Sequence, residues 1–285
     1  MVPGGNAPMM SAQKTSPLSL AFYTVPELAP PDVVVAAAAG RYAYMGLRLF
    51  NGQPADGGSA LMTDPQIRRE TMARMRDLGV SALDANTVRL VPQSNVREFE
   101  PFMAVAAEMG ARHVLTTGND PEMQRLTDNV AALAALAGSY GLTVEIEFVP
   151  WMPVANVSDA VAIVAKTGSD NIGVALDALH FQRSSSSLAD IAAAPAGVFR
   201  YMHLCNAPGQ WESDTASLLH AAVHERLPPD QGDIDLVSLL RAMPPDIPMA
   251  LEVPMTTLAR TVGPFERAKM VADAARRVLA AAHSL

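Results

Sequence analysis

Glu147, Asp177, His203 and Glu252 stand at the C-terminal ends of four short runs rich in β-branched or apolar residues, in the segments TVEIEF, NIGVALD, FRYMHL and PMALEV. Three carboxylates and one imidazole are a hard, mainly oxygen donor set. It suits one divalent ion, Mn, Mg, Co or Zn, rather than copper or an iron–sulfur cluster. With coordination positions open for two substrate oxygens, such an ion polarises a carbonyl beside a hydroxyl and stabilises the enediolate left when the adjacent C–H proton is removed. Glu147 and Glu252, on opposite sides of the ion, are then the acid/base pair. The pattern predicts an enzyme.

Neighbouring residues fit the same pocket. Alternation in TVEIEF puts Val144, Ile146 and Phe148 on one face and Thr143, Glu145 and Glu147 on the other, so Glu145 lies deeper and is a candidate partner behind the ligands. Asp177 is followed three residues later by His180, an arrangement in which one side chain serves the ion and the other the substrate or a ligand. Taken alone, DALH reads equally well as a helix N-cap and a satisfied histidine. A lone strand histidine such as His203 is ordinarily a hydrogen-bonded core residue; its place at a strand end is what marks it as a ligand. Arg48 points inward if Met45, Leu47 and Leu49 pack outward, and is a candidate for a substrate carboxylate or hydroxyl as much as for an ion pair. Trp151 is either an apolar wall for a sugar or ring substrate or a loop anchor. His220 and His224 lack the Glu of H-E-x-x-H, which argues against a zincin site. Cys205, with no His partner apparent, reads as packing.

These residues need elements to hold them. Strand-like runs fall at 18–22, 42–49, 80–88, 112–117, 143–149, 172–177, 198–204 and 248–253, and alanine-rich helical stretches alternate with them. Several helical stretches open on Asp, Asn or Ser and close on Gly. Eight strand–helix units predict an α/β fold, the (β/α)8 TIM barrel, whose chemistry sits at the C-terminal strand ends. A doubly wound sheet is the alternative, but no G-x-G-x-x-G follows the first strand. Residues 205–247 exceed a simple crossover and are expected to lie over the barrel mouth. Residues 1–16, rich in Gly, Pro, Ser and Met, are expected to form a flexible leader before a barrel domain over 17–285.

Composition narrows the functions. The chain of 285 residues is 49% apolar and can bury a large core without a disulfide, which its one cysteine precludes within the chain. A reducing cytoplasm is expected. A formal charge of -8 and no Lys/Arg stripe disfavour nucleic acid as a partner. No apolar run reaches transmembrane length, so no membrane role is expected. The expected partner is a small-molecule substrate, and a homo-oligomer is compatible with this reading. Lys14, Lys166 and Lys269 are the only lysines, none at a strand end, which argues against Schiff-base chemistry. With no Gly-rich phosphate loop after the last two strands, a non-phosphorylated sugar, inosose or cyclic keto acid is expected.

The segments EFVPW, DALHF, HLCNAP, RLPPDQGDID and ALEVP resemble the sugar phosphate isomerase/epimerase family, the xylose-isomerase-like TIM barrels. The resemblance runs from about Leu18 to the C-terminus and is most specific over 141–254. It implies that Glu147, Asp177, His203 and Glu252 bind a divalent metal, that the two Glu move the proton, and that His180 contacts substrate or a ligand. It also implies that Arg226 binds substrate oxygens. Pro229 stands where the family commonly has Gly, and Asn206 where it commonly has Asp, so a differently shaped loop is expected after the seventh strand. The family holds ketose epimerases, aldose–ketose isomerases, inosose and dehydroshikimate dehydratases and endonuclease IV-like nucleases. The expected function is a metal-dependent isomerase or epimerase of a small sugar-like hydroxycarbonyl compound. A dehydratase or lyase of an inosose or dehydroshikimate-like substrate is the alternative. A nuclease is disfavoured because only six His are present and the net charge is negative. A non-catalytic barrel is disfavoured by the donor set.

Overall fold

The structure is a computed structural model that describes residues 16–284. The expected leader lies outside the described residues except for Ser16, which is buried. Eight parallel strands close on themselves in chain order: β1 (Leu18–Leu20), β2 (Tyr44–Gly52), β3 (Ser81–Leu90), β4 (His113–Gly118), β5 (Thr143–Glu147), β6 (Ile172–Asp177), β7 (Phe199–Leu204) and β8 (Met249–Leu251). Parallel neighbours need a crossover, and the alanine-rich stretches supply it as helices on the outside, giving the (β/α)8 barrel. The side chains of Asp64, Asn156, Ser187 and Asp235 accept hydrogen bonds from first-turn amides of four of these helices. Gly79 and Gly168 end two of them in the left-handed conformation that glycine adopts at low cost.

Alternation along the strands sorts the core into two shells. Met45, Leu47 and Leu49 on β2, Val144 and Ile146 on β5, and Met202 and Leu204 on β7 pack outward against the helices. Burial of each such side chain stabilises the fold by ~1.5–3 kcal/mol. Leu83, Leu115, Ala175, Tyr201 and Ala250 fill the barrel interior.

β3 departs from strict alternation twice. Met45 pairs with Ala82 but Leu47 with Ala85; then Ala85 pairs with Val114 but Val88 with Thr116. Each step gives β3 one residue more than its neighbour, a bulge that lets adjacent residues share a face. Asp84 and Asn86 turn inward, close enough that a side chain at Gly46 would meet both. Beyond the second bulge Val88 and Leu90 join the outer core, leaving Arg89 for the mouth.

The ends of β1 and β8, which bear on the site, also differ from the expected bounds. β1 stops at Leu20 because the chain crosses to β8: the Ala21 amide and the Thr24 hydroxyl donate to the Leu251 carbonyl, and the Val253 amide donates to Thr24 Oγ1. Phe22–Thr24 is therefore a single 3-10 turn at the mouth rather than strand. β8 is three residues long, and Glu252 lies just beyond it. The stretch after β7 folds a helix, Thr215–His224, whose Leu219, Ala222 and Val223 face the mouth.

Candidate active site and metal centre

Strand register brings four side chains from four strand ends together. Glu147 pairs with Ala175, Asp177 with His203, and His203 with Ala250, so β5 to β8 end at neighbouring heights. Nδ1 of His203 lies 2.9 Å from Glu147 Oε1, 3.7 Å from Glu252 Oε2 and 3.8 Å from Asp177 Oδ2. Asp177 and His203 are fully buried, while Glu147 and Glu252 retain a sliver of exposure toward the mouth.

Asp177 does two jobs with its two oxygens. Oδ1 accepts from the amides of Leu179 (2.7 Å) and His180 (3.1 Å), capping the helix Ala178–Arg183. Oδ2 turns to the site, 3.8 Å from His203 Nδ1, so the cap reading of this residue holds and one oxygen is left as a candidate ligand. The cap also fixes the carboxylate plane, an orientation that a free strand-end Asp would lack.

Arg226 is the unexpected element. It is buried, with Nη1 2.6 Å from Asp177 Oδ2 and Nη2 2.9 Å from Glu252 Oε2. Its Nε donates to the Ala222 carbonyl at 2.9 Å. Expected as a group held for substrate oxygens, it here engages two of the four candidate ligands, because three adjacent buried carboxylates need a nearby cation. It still lines the pocket. Burial opposes ionisation of Asp177, but the Arg226 guanidinium, with His180 and His203, outweighs it and holds this carboxyl well below the usual range. Burial likewise favours neutral His203, yet Glu252 and the hydrogen bond to Glu147 raise it to about 10.

The remaining candidates fall as follows. His180 is 4% exposed, its Nδ1 has no hydrogen-bond partner, and its ring meets Trp151 edge-on at 5.3 Å. Both residues line the pocket, which opens to solvent at the barrel mouth. Arg48 lines it too, with its guanidinium over the rings of Phe22 and Tyr23 at 5.3 and 5.2 Å. Glu145 does not support the site. It lies deeper, as alternation requires, but is bound to His113 (3.0 Å), Thr143 (2.7 Å) and Arg200 (3.2 Å) toward the opposite end of the barrel. Cys205 is buried, and that burial pushes its thiol up to about 12, so it is inert packing at neutral pH.

Sequence reading missed Arg89, Asn86 and Thr117 on the pocket wall, and Phe22 and Tyr23 beside Arg48. A strand ended at Val88 hides Arg89. The flanking Val88 and Leu90 were the only local signal that residue 89 faces the other way.

Asn206 and Gly232 settle the loop after β7. Asn206 Oδ1 accepts from Ala207 (2.8 Å) and Ile234 (2.9 Å), and its Nδ2 donates to the Pro229 carbonyl (2.9 Å). The Asn206 and Leu227 main chains bond reciprocally at 2.8 Å, which locks Arg226 beside the strand end.

The donor set fits a divalent ion. At ligand-to-ion distances of ~2.0–2.2 Å, ligand atoms on one ion are separated by roughly 3 to 4.4 Å. The three separations around His203 Nδ1 fall at or inside that range. Asp177, His203 and Glu252 offer atoms within 4.8 Å of one another, and so do Glu147, Asp177 and His180. Glu147, Asp177, His203 and Glu252 are the residues that would hold the ion, with His180 at its margin.

Residues 35–280 match a family model described as xylose isomerase-like TIM barrel. Inosose isomerase from Bacillus velezensis is 24% identical over 158 residues, 52% of this chain and 54% of that protein. The chain thus spans about half the length of the curated relatives it matches, or less. A crystal structure of the IolI protein with a bound zinc atom superposes with a TM-score of 0.76 at 20% identity, covering 94% of this chain and 100% of that one. The probable 3-DHS dehydratase AsbF from Bacillus anthracis superposes with a TM-score of 0.70 at 12% identity, covering 89% and 97%.

Proposed function

Given that the chain belongs to the xylose isomerase-like TIM barrel family, we propose that it is a divalent-metal-dependent isomerase or epimerase of a small, sugar-like hydroxycarbonyl compound. The observation that carries this reading is the convergence of Glu147, Asp177 and Glu252 on His203 Nδ1. Bound there, a divalent ion would supply Lewis-acid polarisation of the substrate carbonyl and offset the negative charge that develops when the α-proton leaves. Mn, Mg, Co and Zn all suit the donor set, and Mn is our first choice for assay.

The protein's own groups do the rest. Glu147 and Glu252 reach the pocket from β5 and from just beyond β8, so one can take the α-proton and the other return a proton to the neighbouring carbon or opposite face. Arg226 keeps Asp177 ionised and holds Glu252 in place. Trp151, Leu219 and Val223 give the pocket an apolar wall against which a sugar-like ring can pack. With one buried cysteine and no described helix long and apolar enough to cross a membrane, a reducing cytoplasm is the proposed compartment.

A second reading shares the first proton transfer and ends in loss of a β-hydroxyl. The unpartnered, buried Nδ1 of His180 favours it, since an imidazole at the pocket wall can protonate a departing hydroxyl. The two readings are separated by screening ketoses, inososes and dehydroshikimate with Mn or Mg in deuterated water, with products identified by NMR. Isomers carrying deuterium at the α-carbon support the first reading, and dehydrated products the second. No turnover and no α-proton exchange across the panel would count against both.

A further inference from the structure

Opposite the candidate metal centre, the mouth carries positive charge that the site itself does not use. β2 and β3 lie across an eight-strand barrel from β6 and β7, and each sends a guanidinium into the pocket, Arg48 and Arg89. Among the described residues neither has a carboxylate within ion-pairing distance, unlike Arg226 in the same pocket. Arg48 bonds only Asn51, from Nε at 3.4 Å and Nη2 at 3.1 Å, and is flanked by the rings of Phe22 and Tyr23. Arg89 is half-buried, and its Nε is enclosed without a partner. Its backbone is pinned: the Arg89 carbonyl accepts from the Gln53 side chain, and the wall at Gly52 leaves room for no added side chain without pressing on Arg89.

Charge counting gives these residues a purpose. Three carboxylates at the centre are balanced by a divalent ion together with Arg226, so Arg48 and Arg89 are surplus cations in a partly desolvated pocket. Holding two guanidiniums there unpaired is costly, and planar N–H forks are matched by carboxylate or phosphate oxygens. We propose that Arg48 and Arg89 form an anion subsite for the far end of the substrate, which makes the substrate an acidic hydroxycarbonyl compound bearing a carboxylate or phosphate remote from the reacting carbons. This rests on the reading of the centre as a site for a hydroxycarbonyl group, and it adds what the other end of that molecule carries.

The test is calorimetric binding to the Mn-loaded protein of L-sorbose, 5-keto-D-gluconate and L-sorbose 6-phosphate, which differ only in a terminal hydroxyl, carboxylate or phosphate. The anionic ligands are expected to bind at least about tenfold tighter than L-sorbose, as charge-assisted hydrogen bonds allow. Whichever anion binds tighter identifies the group. Arg89→Gln and Arg48→Gln should each collapse that ratio toward one by weakening the anionic ligands far more than L-sorbose, and Arg89→Lys should retain part of it. Equal binding of all three ligands, no binding of any, or a ratio indifferent to both Gln variants overturns the subsite. Mn affinity, followed separately by electron paramagnetic resonance, reports on the metal reading independently and also checks that each variant is folded.

Discussion

Arg226 Nη1 and Asp177 Oδ2 lie 2.6 Å apart across 49 residues of sequence, both fully enclosed, and the same guanidinium spans to Glu252. The pair joins the long loop after β7 to the end of β6. It gives the candidate metal centre one buried cation even before an ion arrives.

Arg226→Met should therefore destabilise the metal-free protein by ~3–5 kcal/mol, because buried carboxylates lose their cation. Saturating Mn should recover much of that loss by binding only the folded form. Urea unfolding with and without Mn measures both. An equal loss in the two conditions would show that packing, rather than charge, explains the role of Arg226.

Glu147→Gln and Glu252→Gln are near-isosteric, although Glu252→Gln also gives up one of the two carboxylates paired with Arg226. Each should lower substrate α-carbon exchange by about 10²–10⁴-fold, the range for removing a positioned acid or base. Deuterium incorporation followed by NMR is the readout. Undiminished exchange in both variants would remove these residues from the proton path.

Gly232 has φ +140°, and a Cβ there would sit 2.5 Å from Asn206 Oδ1 and 2.8 Å from the Ala207 carbonyl. Gly232→Ala should cost ~1–3 kcal/mol through backbone strain alone. It should also free residues 207–233 for limited proteolysis while residues 18–200 stay protected. An unchanged cleavage pattern would mean that the Asn206 anchor is not what holds this loop.

Tyr42 is buried, with its hydroxyl donating to the Ala268 carbonyl at 2.8 Å. Burial, opposed by Arg276 and aided by Asp273, raises its phenol far above the ordinary 10.0. A raised folded value means that the stabilisation is complete below about pH 10, where the unfolded phenol is also neutral, and is lost as pH climbs beyond it. Tyr42→Phe should cost about 1 kcal/mol at pH 7. Its stability curve should converge on that of the unaltered protein above about pH 10. Parallel curves through that range would refute burial of the phenol as the cause.

Legibility in the sequence followed the range of the forces involved. Alternation of side chains is set by each strand's own pleat, so TVEIEF, NIGVALD and FRYMHL revealed their inward residues without knowledge of neighbours. Asp177 showed its capping role and its candidacy as a ligand through position alone, at a strand end and a helix start. The expected end of β3 at Val88 falls two residues short, because its two bulges exist only relative to β2 and β4. No pattern within SALDANTVRL distinguishes the extra residues.

The amino-acid sequence by itself determined the eight strand–helix units, the end of the barrel where the candidate ligands gather, and their donor types. All of these depend on local periodicity and residue identity. Tertiary structure alone decided that Arg226 serves two carboxylates, that Glu145 faces the other end, and that Arg48 and Arg89 share the pocket wall. Those outcomes depend on register, bulges and closure, which arise from pairing between segments far apart in the chain. The energy of a buried charge is likewise set by which groups surround it in space, not by its neighbours along the chain.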